Sequence, residues 1–417
     1  MVAGMRIMKD SGIEWVGEIP RSWDIMANKY VMTKIKHVNP FYHGEDILSL
    51  TINGVVVRDL DAGGKMPSSF DGYQTLYPGN LLMCLFDYDV TPRCIGLIKN
   101  DGVTSPAYSQ FVMKDGFSAN YYYYYYLMVD HTKALLHRAK NLRHSFTEDQ
   151  LGVIAVPVPS LDEQEDIADF LDAKCAEIDA LSADIQAEID TLEAYKRSVI
   201  TEAVTKGLDR SVPMKDSGIE WVGEIPAHWG VEKGKYCLRY VQKPTKPDDD
   251  VITCFRDGEV TLRKNRREEG FTISLKEIGY QGIDVGDLIV HGMDGFAGSI
   301  GISDSRGKAS PVLNVLDTDH NKRYIMYYLR SLAFNGVFLA LSTGIRVRTC
   351  DTNWGKLREL LYVLPPKDEQ EAIVQFVDDK LKSADEIIFQ KREQLAVLAD
   401  YKKSIIYEYV TGKKEVV

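Results

Sequence analysis

Apolar residues along the chain alternate twice between two regimes. In the first, short apolar runs are broken by glycine and proline. Leu81–Phe86 and Val153–Val158 are examples, and Asp287–Gly292 and Glu359–Leu364 answer them later. Runs of this kind with turn signals between them predict short strands of a curled, mixed sheet. Residues 120–139 and 321–341 read as helical, so each of these regions is expected to be an α+β domain. In the second regime, residues 162–206 and 368–411 contain no proline or glycine at all. Asp162, Glu163, Asp368 and Glu369 sit where they favour a helix dipole, and Gly207 and Gly412 follow as stop signals. Both stretches predict long helices.

Those helices carry a heptad stripe. Leu171, Ile178, Ile185, Leu192 and Val199 recur every seventh residue, with Leu181 and Tyr195 assigned to the other half of the heptad. In the second helix Leu381, Ile388 and Leu395 repeat by seven, as do Leu398 and Ile405. This is coiled-coil spacing. Lys174, Glu188, Lys391 and Lys402 interrupt it, which leaves the register open. Helices of roughly 65 Å cannot bury such a stripe alone, and each is the other's nearest partner. The short connection between the first helix and Trp229 favours antiparallel pairing, with the globular parts at opposite ends.

The alternation reflects a duplication. Lys9–Trp23 (KDSGIEWVGEIPRSW) and Lys215–Trp229 (KDSGIEWVGEIPAHW) share 13 of 15 residues at an offset of 206. Leu161–Asp172 answers Lys367–Asp378, and Leu192–Thr205 answers Leu398–Thr411, at the same offset. The middles have drifted apart. The ends therefore do one shared job, and the middles do two versions of another.

The formal charge of −11 argues at first against a nucleic-acid partner. The long helices account for it. They hold 13 acidic against 4 basic residues in 162–206 and 10 against 6 in 368–412, which leaves the rest of the chain at +2. Within that rest, basic residues cluster: Arg263, Lys264, Arg266 and Arg267; Arg346 and Arg348; Lys140, Arg143 and His144; and Arg306 with Lys308, read as a turn like that at Lys99 and Asp101. Such groups can hold phosphates or read guanine edges, although a loop such as RKNRREE can also be merely solvated. Tyr121–Tyr126 offers either a stacking platform for bases or core packing. A helix spreads six tyrosines around its whole circumference, which favours the core.

Catalytic constellations are not visible. The sequence has no P-loop, HExxH or GxSxG motif, and the glycines of 292–301 lack dinucleotide-binding spacing. Asp87 and Asp89 have only Asp294 as a counterpart, so no shared metal site is expected. The six cysteines form no CxxC pair and read as core-filling thiols of a reducing cytoplasm. No apolar run is long enough to span a membrane.

The duplicated KDSGIEWVGEIP segments, PVPSLDEQEDIADFLD with LPPKDEQEAIVQFVDDK, and the YK[RK]SxI segments at Tyr195 and Tyr401 together resemble the specificity subunits of type I restriction-modification systems. The resemblance implies an order of parts. An N-terminal segment (1–24) precedes a first target recognition domain (25–159) and a central helix (160–207). A linker carrying the repeated motif (208–230) leads to a second target recognition domain (231–365) and a C-terminal helix (366–412). It also implies that each target recognition domain reads half of a split site on double-stranded DNA, and that the antiparallel helices set the separation. Two modification subunits with adenine-N6 methyltransferase chemistry would dock on the assembly, together with restriction subunits. S-adenosylmethionine, ATP and Mg2+ would belong to those partners, and this chain would bind no cofactor or metal and carry no active site. The alternatives are a stand-alone DNA-binding adaptor and a protein-protein scaffold of duplicated modules.

Overall fold

The computed structural model describes residues 6–61, 67–139, 144–266, 277–341 and 352–416. The chain forms two compact units: Met1–Ile185 with Glu393–Val417, and Gln186–Arg392. The central helix, Leu161–Lys206, and the C-terminal helix, Lys367–Val410, each give one half to each unit.

The first unit opens with the repeated motif folded as a hairpin, Met8–Asp10 against Glu18–Pro20. Asp10 accepts the Gly12 N–H at 2.9 Å, and the Gly17 carbonyl accepts the Ser11 N–H at 3.0 Å. Gly12 and Gly17 take φ values of 63° and 69°, which explains glycine at both places. Ile13, Val16, Ile19 and Trp23 point into the core. A four-stranded sheet follows, ordered Met32–Ile35, Ser109–Met113, Leu81–Met83, Ile95–Leu97. Two smaller pairs, Leu48–Thr51 with Gly54–Val57 and Gln74–Leu76 with Gly102–Thr104, enclose a satellite core around Leu48, Leu76, Leu82 and Ile98. Asp24–Ala27 pairs with Ala155–Val158 and brings the chain back to the central helix.

The second unit repeats this plan. Its hairpin is Met214–Asp216 against Glu224–Pro226, and its sheet runs Arg239–Val241, Leu313–Asp317, Leu288–His291, Ile300–Ile302. The smaller pairs are Ile252–Cys254 with Val260–Leu262 and Gln281–Ile283 with Gly307–Ala309. All these named strands, in both units, pair antiparallel, and parallel geometry is confined to isolated bridges such as Ile47–Val103 and Val251–Lys308. The mixed sheet read from the apolar runs is corrected accordingly. Burial pattern does not encode strand direction, which is set by partners far along the chain, as where Met32–Ile35 meets Ser109–Met113 and Arg239–Val241 meets Leu313–Asp317.

The tyrosine stretch forms the helix Ala119–His131, matched by Lys322–Phe334. Both stop before the predicted ends, the second at Asn335 and Gly336, whose φ is 70°. Tyr121, Tyr122, Tyr124, Tyr125 and Tyr126 are buried. Their hydroxyls anchor the unit: Tyr121 donates to the Val410 carbonyl at 2.9 Å, Tyr122 to the Pro157 carbonyl at 3.1 Å and Tyr124 to Asp172 at 2.6 Å. Tyr324 repeats the first of these on Val204 at 3.1 Å, and Tyr327 repeats the last on Asp378. The tyrosines serve the core.

Within each unit the helix halves run antiparallel. In the first, Phe170 packs against Tyr409 with tilted rings, centroids 4.3 Å apart, and Asp179 accepts from Lys402 at 2.6 Å. In the second, Glu188 pairs with Lys391, Glu193 with Arg392 at 3.7 Å and Lys196 with Asp385 at 2.6 Å. Leu171, Ile178, Ile185, Ile388 and Ile405 are buried as the heptad requires, and Leu192, Val199, Leu381, Leu395 and Leu398 are half-buried. Leu181 and Tyr195 are corrected: they are 48% and 45% exposed. The other half of the heptad falls instead on Cys175, Ser182, Ile189, Lys196 and Ala203, which are buried or half-buried. Alternating steps of four and three keep that set on one face, whereas Leu181 lies three residues past Ile178 on a flank. Lys391 and Lys402 occupy stripe positions, half-buried, each with a carboxylate from the facing helix.

Candidate nucleic-acid interface

Most of the predicted basic positions that the structure describes lie on or beside the two small strand pairs of the second unit. Arg263 and Lys264 start a 3-10 turn directly after the strand Val260–Leu262. The backbone N–H of Arg263 donates to the Val251 carbonyl at 2.8 Å, and its Nε to Thr253 Oγ1 at 3.3 Å. Lys264 reaches Asp250 at 2.5 Å. The neighbouring strand pair joins the same place: the Lys308 N–H donates to the Asp250 carbonyl at 2.9 Å, and Arg306 holds Asp249 at 2.8 Å. The fold thus gathers Arg263, Lys264, Arg306 and Lys308 around residues 249–251. Lys308 is not in a turn as the sequence suggested. It lies mid-strand, paired with Gly282, while Lys99 and Asp101 remain between strands.

Acids hold most of these cations. Arg306 also meets Asp284 at 2.6 Å, and Lys308 meets Glu277 at 2.8 Å. Lys243 and Arg306 together hold the Asp284 carboxyl down to about 2. Arg306 likewise lowers Asp249, whose side chain is 4% exposed. Arg306 is therefore built into the fold by its two acids, whereas Lys264 and its Asp250 partner are both more than half exposed, so Lys264 can exchange that partner for a phosphate at little cost. Arg266 sits apart from the cluster, on the Phe255 ring at 4.3 Å and between Asp257 at 2.5 Å and Glu259 at 3.0 Å. His144 belongs to the first unit, 3.0 Å from Asp89, with φ at 42°. Lys140, Arg143, Arg267, Arg346 and Arg348 lie outside the described residues.

Sequence reading passed over one duplicated feature. Lys29–Tyr30 and Lys235–Tyr236 follow the first strand of each domain at the offset of 206. Each lysine ammonium stands over its tyrosine ring, at 5.1 and 5.2 Å, and both tyrosines are exposed. The signal was the identity of a dipeptide within otherwise divergent middles.

Among the described residues no three metal-ligating side chains converge. Cys84, Cys94, Cys175, Cys237 and Cys254 are buried free thiols, and Cys350 lies outside the described residues. Among the described residues no helix is long and apolar enough to cross a membrane.

Two α+β modules, each packed on antiparallel halves of the two long helices, define the class of duplicated-module proteins. The family described as the type I restriction modification DNA specificity domain matches residues 95–191. A putative type I restriction enzyme MjaX specificity subunit of Methanocaldococcus jannaschii is 27% identical over 295 residues, 67% of this chain and 64% of that one. The StySPI specificity subunit of Salmonella potsdam is 22% identical over 273 residues, 63% of this chain. The matched stretches span 64% and 58% of the length of these relatives. A solved chain from work on complex assembly and conformational transition of the type I R-M system shares the fold, with a TM-score of 0.66 at 13% identity, over 95% of this chain and 99% of that one. The resemblance read from the repeated motifs holds: in sequence this chain is similar to type I restriction-modification specificity subunits, and its α+β modules with paired helices share the fold of that solved chain.

Proposed function

We propose that this chain is the sequence-specific DNA-recognition subunit of a type I restriction-modification complex. It reads an asymmetric, bipartite site and positions modification subunits, with restriction subunits added where present. One observation carries this reading. The DNA-specificity family model matches residues 95–191 in the first module, and the chain repeats that module's plan in a second, divergent one, each joined to its long helix by the same contact. Divergent modules on identical joints suit two different half-sites held by one common frame. Lys264, which can trade its exposed carboxylate partner for a phosphate, suits backbone contact, which fixes register while other side chains select bases. Acidic helices avoid the duplex and suit docking of partner proteins. Exposed Phe389 and Ile387 in one unit, and Val397 and Tyr401 in the other, offer apolar contact for them. The chain supplies recognition alone in this reading, and S-adenosylmethionine, ATP and Mg2+ belong to the partners.

The test is methylation mapping in cells that express the full chain with its neighbouring modification subunit. The expected product is N6-methyladenine in a motif of two unlike short blocks separated by a fixed unspecified gap. Exchanging residues 231–365 for those of a homologue changes one block only. A continuous or palindromic motif, or no sequence preference, overturns the reading.

A further inference from the structure

A cleft of about 610 Å3 opens within the second unit, at the turn that joins Ile252–Cys254 to Val260–Leu262. Its walls include Lys196 and Arg197 of the central helix, Arg330 and Phe334 of the helix Lys322–Phe334, and the turn at Arg256 and Asp257. The Arg197 and Arg330 guanidiniums each lie 5.5 Å from the Phe334 ring centroid.

The acids in this wall are already engaged. Asp385 and Glu193 pair with Lys196 at 2.6 and 3.2 Å, and Asp257 pairs with Arg266 at 2.5 Å. Arg256 has Asp294 at 3.1 Å. Arg197 and Arg330 have no carboxylate partner among the described residues. Arg330 gives one N–H to the Asp257 carbonyl at 2.8 Å, and its Nε is buried without a hydrogen-bond partner. Burial pulls its pKa below the usual arginine value and outweighs the attraction of Asp257 and Asp385, whose carboxylates are paired with other cations. Holding a guanidinium out of water without a directly paired carboxylate is costly, and a bound anion relieves that cost. The planar guanidinium fork matches phosphate oxygens in pairs.

We propose that this cleft is a phosphate-binding site, with Arg197 and Arg330 holding the anion beside Phe334. The phosphate comes either from a DNA backbone or from a free phosphate group. The site is confined to the second unit. At the matching places the first unit has Leu127 for Arg330, His131 for Phe334 and Lys403 for Arg197, and Lys403 is already paired with Asp400 at 2.9 Å. The proposal stands on the cleft itself and does not need the reading of the hairpins.

Calorimetric titration of the full chain with inorganic phosphate tests it. Saturable binding at one site is expected, weakened at least tenfold by R197A and by R330L and unchanged by K403A. R330L installs the residue the first copy uses. R197A alters an exposed side chain, so it decides the matter even where R330L fails to fold. Absence of saturable binding, or equal affinity in R197A, overturns the proposal. A short duplex without a target motif separates the sources. Where the backbone supplies the phosphate, duplex displaces phosphate from the wild-type chain, and R197A lowers the salt slope of duplex binding by about 1. Where duplex leaves phosphate binding untouched, a free phosphate group is the ligand.

Discussion

The indole N–H of Trp23 donates to the Glu163 carboxylate at 2.8 Å, and Trp229 donates to Glu369 at the same 2.8 Å. Each contact ties the repeated motif to the first turn of a long helix. The next residue extends the joint. Gln164 accepts the Ser118 N–H at 2.8 Å and donates to the Pro159 carbonyl at 2.9 Å, while Gln370 does the same with Asn321 at 2.9 Å and Pro365 at 2.8 Å. One tryptophan, one glutamate and one glutamine thus lock the hairpin, the α+β module and the helix together, twice.

Removing the indole donor tests that joint. W23F is expected to cost about 1.5–3 kcal/mol in urea unfolding, the range for a hydrogen bond to a charged group, and W229F a similar amount. A W23F/E163A double-mutant cycle should show coupling. Additive effects would mean that the contact is incidental.

The revised heptad makes a second prediction. I185A removes a buried seam residue and should cost about 2–4 kcal/mol, whereas L181A should stay within about 0.5 kcal/mol. Comparable losses in chemical denaturation would restore the assignment of Leu181 to the seam.

Arg306 and Lys264 should separate. R306A strands the buried Asp249 carboxylate and should lose about 1–3 kcal/mol of stability. K264A breaks a pair between exposed groups, so its melting curve should be unchanged while duplex binding weakens. Equal thermal stability of the two variants would argue against a built-in Arg306.

His291 gives a pH dependence. Its Nδ1 accepts the backbone N–H groups of Met293 and Asp294 at 3.2 and 3.0 Å, which requires the neutral ring, and burial lowers its pKa below 6.5. Below 6.5 the unfolded chain takes up a proton that the folded chain refuses. This contribution to stability is therefore present above 6.5 and declines as the pH falls toward the folded value. H291N accepts without titrating and should reduce the loss of melting temperature between pH 7.5 and 5.5. An unchanged slope in the variant would place the dependence on other groups.

The sequence alone determined the duplication, the α+β character of each module, and both long helices with their antiparallel preference. These features rest on local periodicity and on exact repetition at a fixed offset. The burial of the tyrosines was also readable, because a helix cannot expose six consecutive rings on one face. Tertiary structure decided the rest. Which half-heptad positions meet depends on the facing helix, so Cys175, Ser182 and Lys196 replaced Leu181 and Tyr195 in the stripe. Strand direction depends on distant partners. Arg306 and Lys264 look alike in a sequence. Only the carboxylates brought beside them by folding make one a brace and leave the other exchangeable. Arg197 and Arg330 stand 133 positions apart, and only folding gathers them in one cleft without acids of their own.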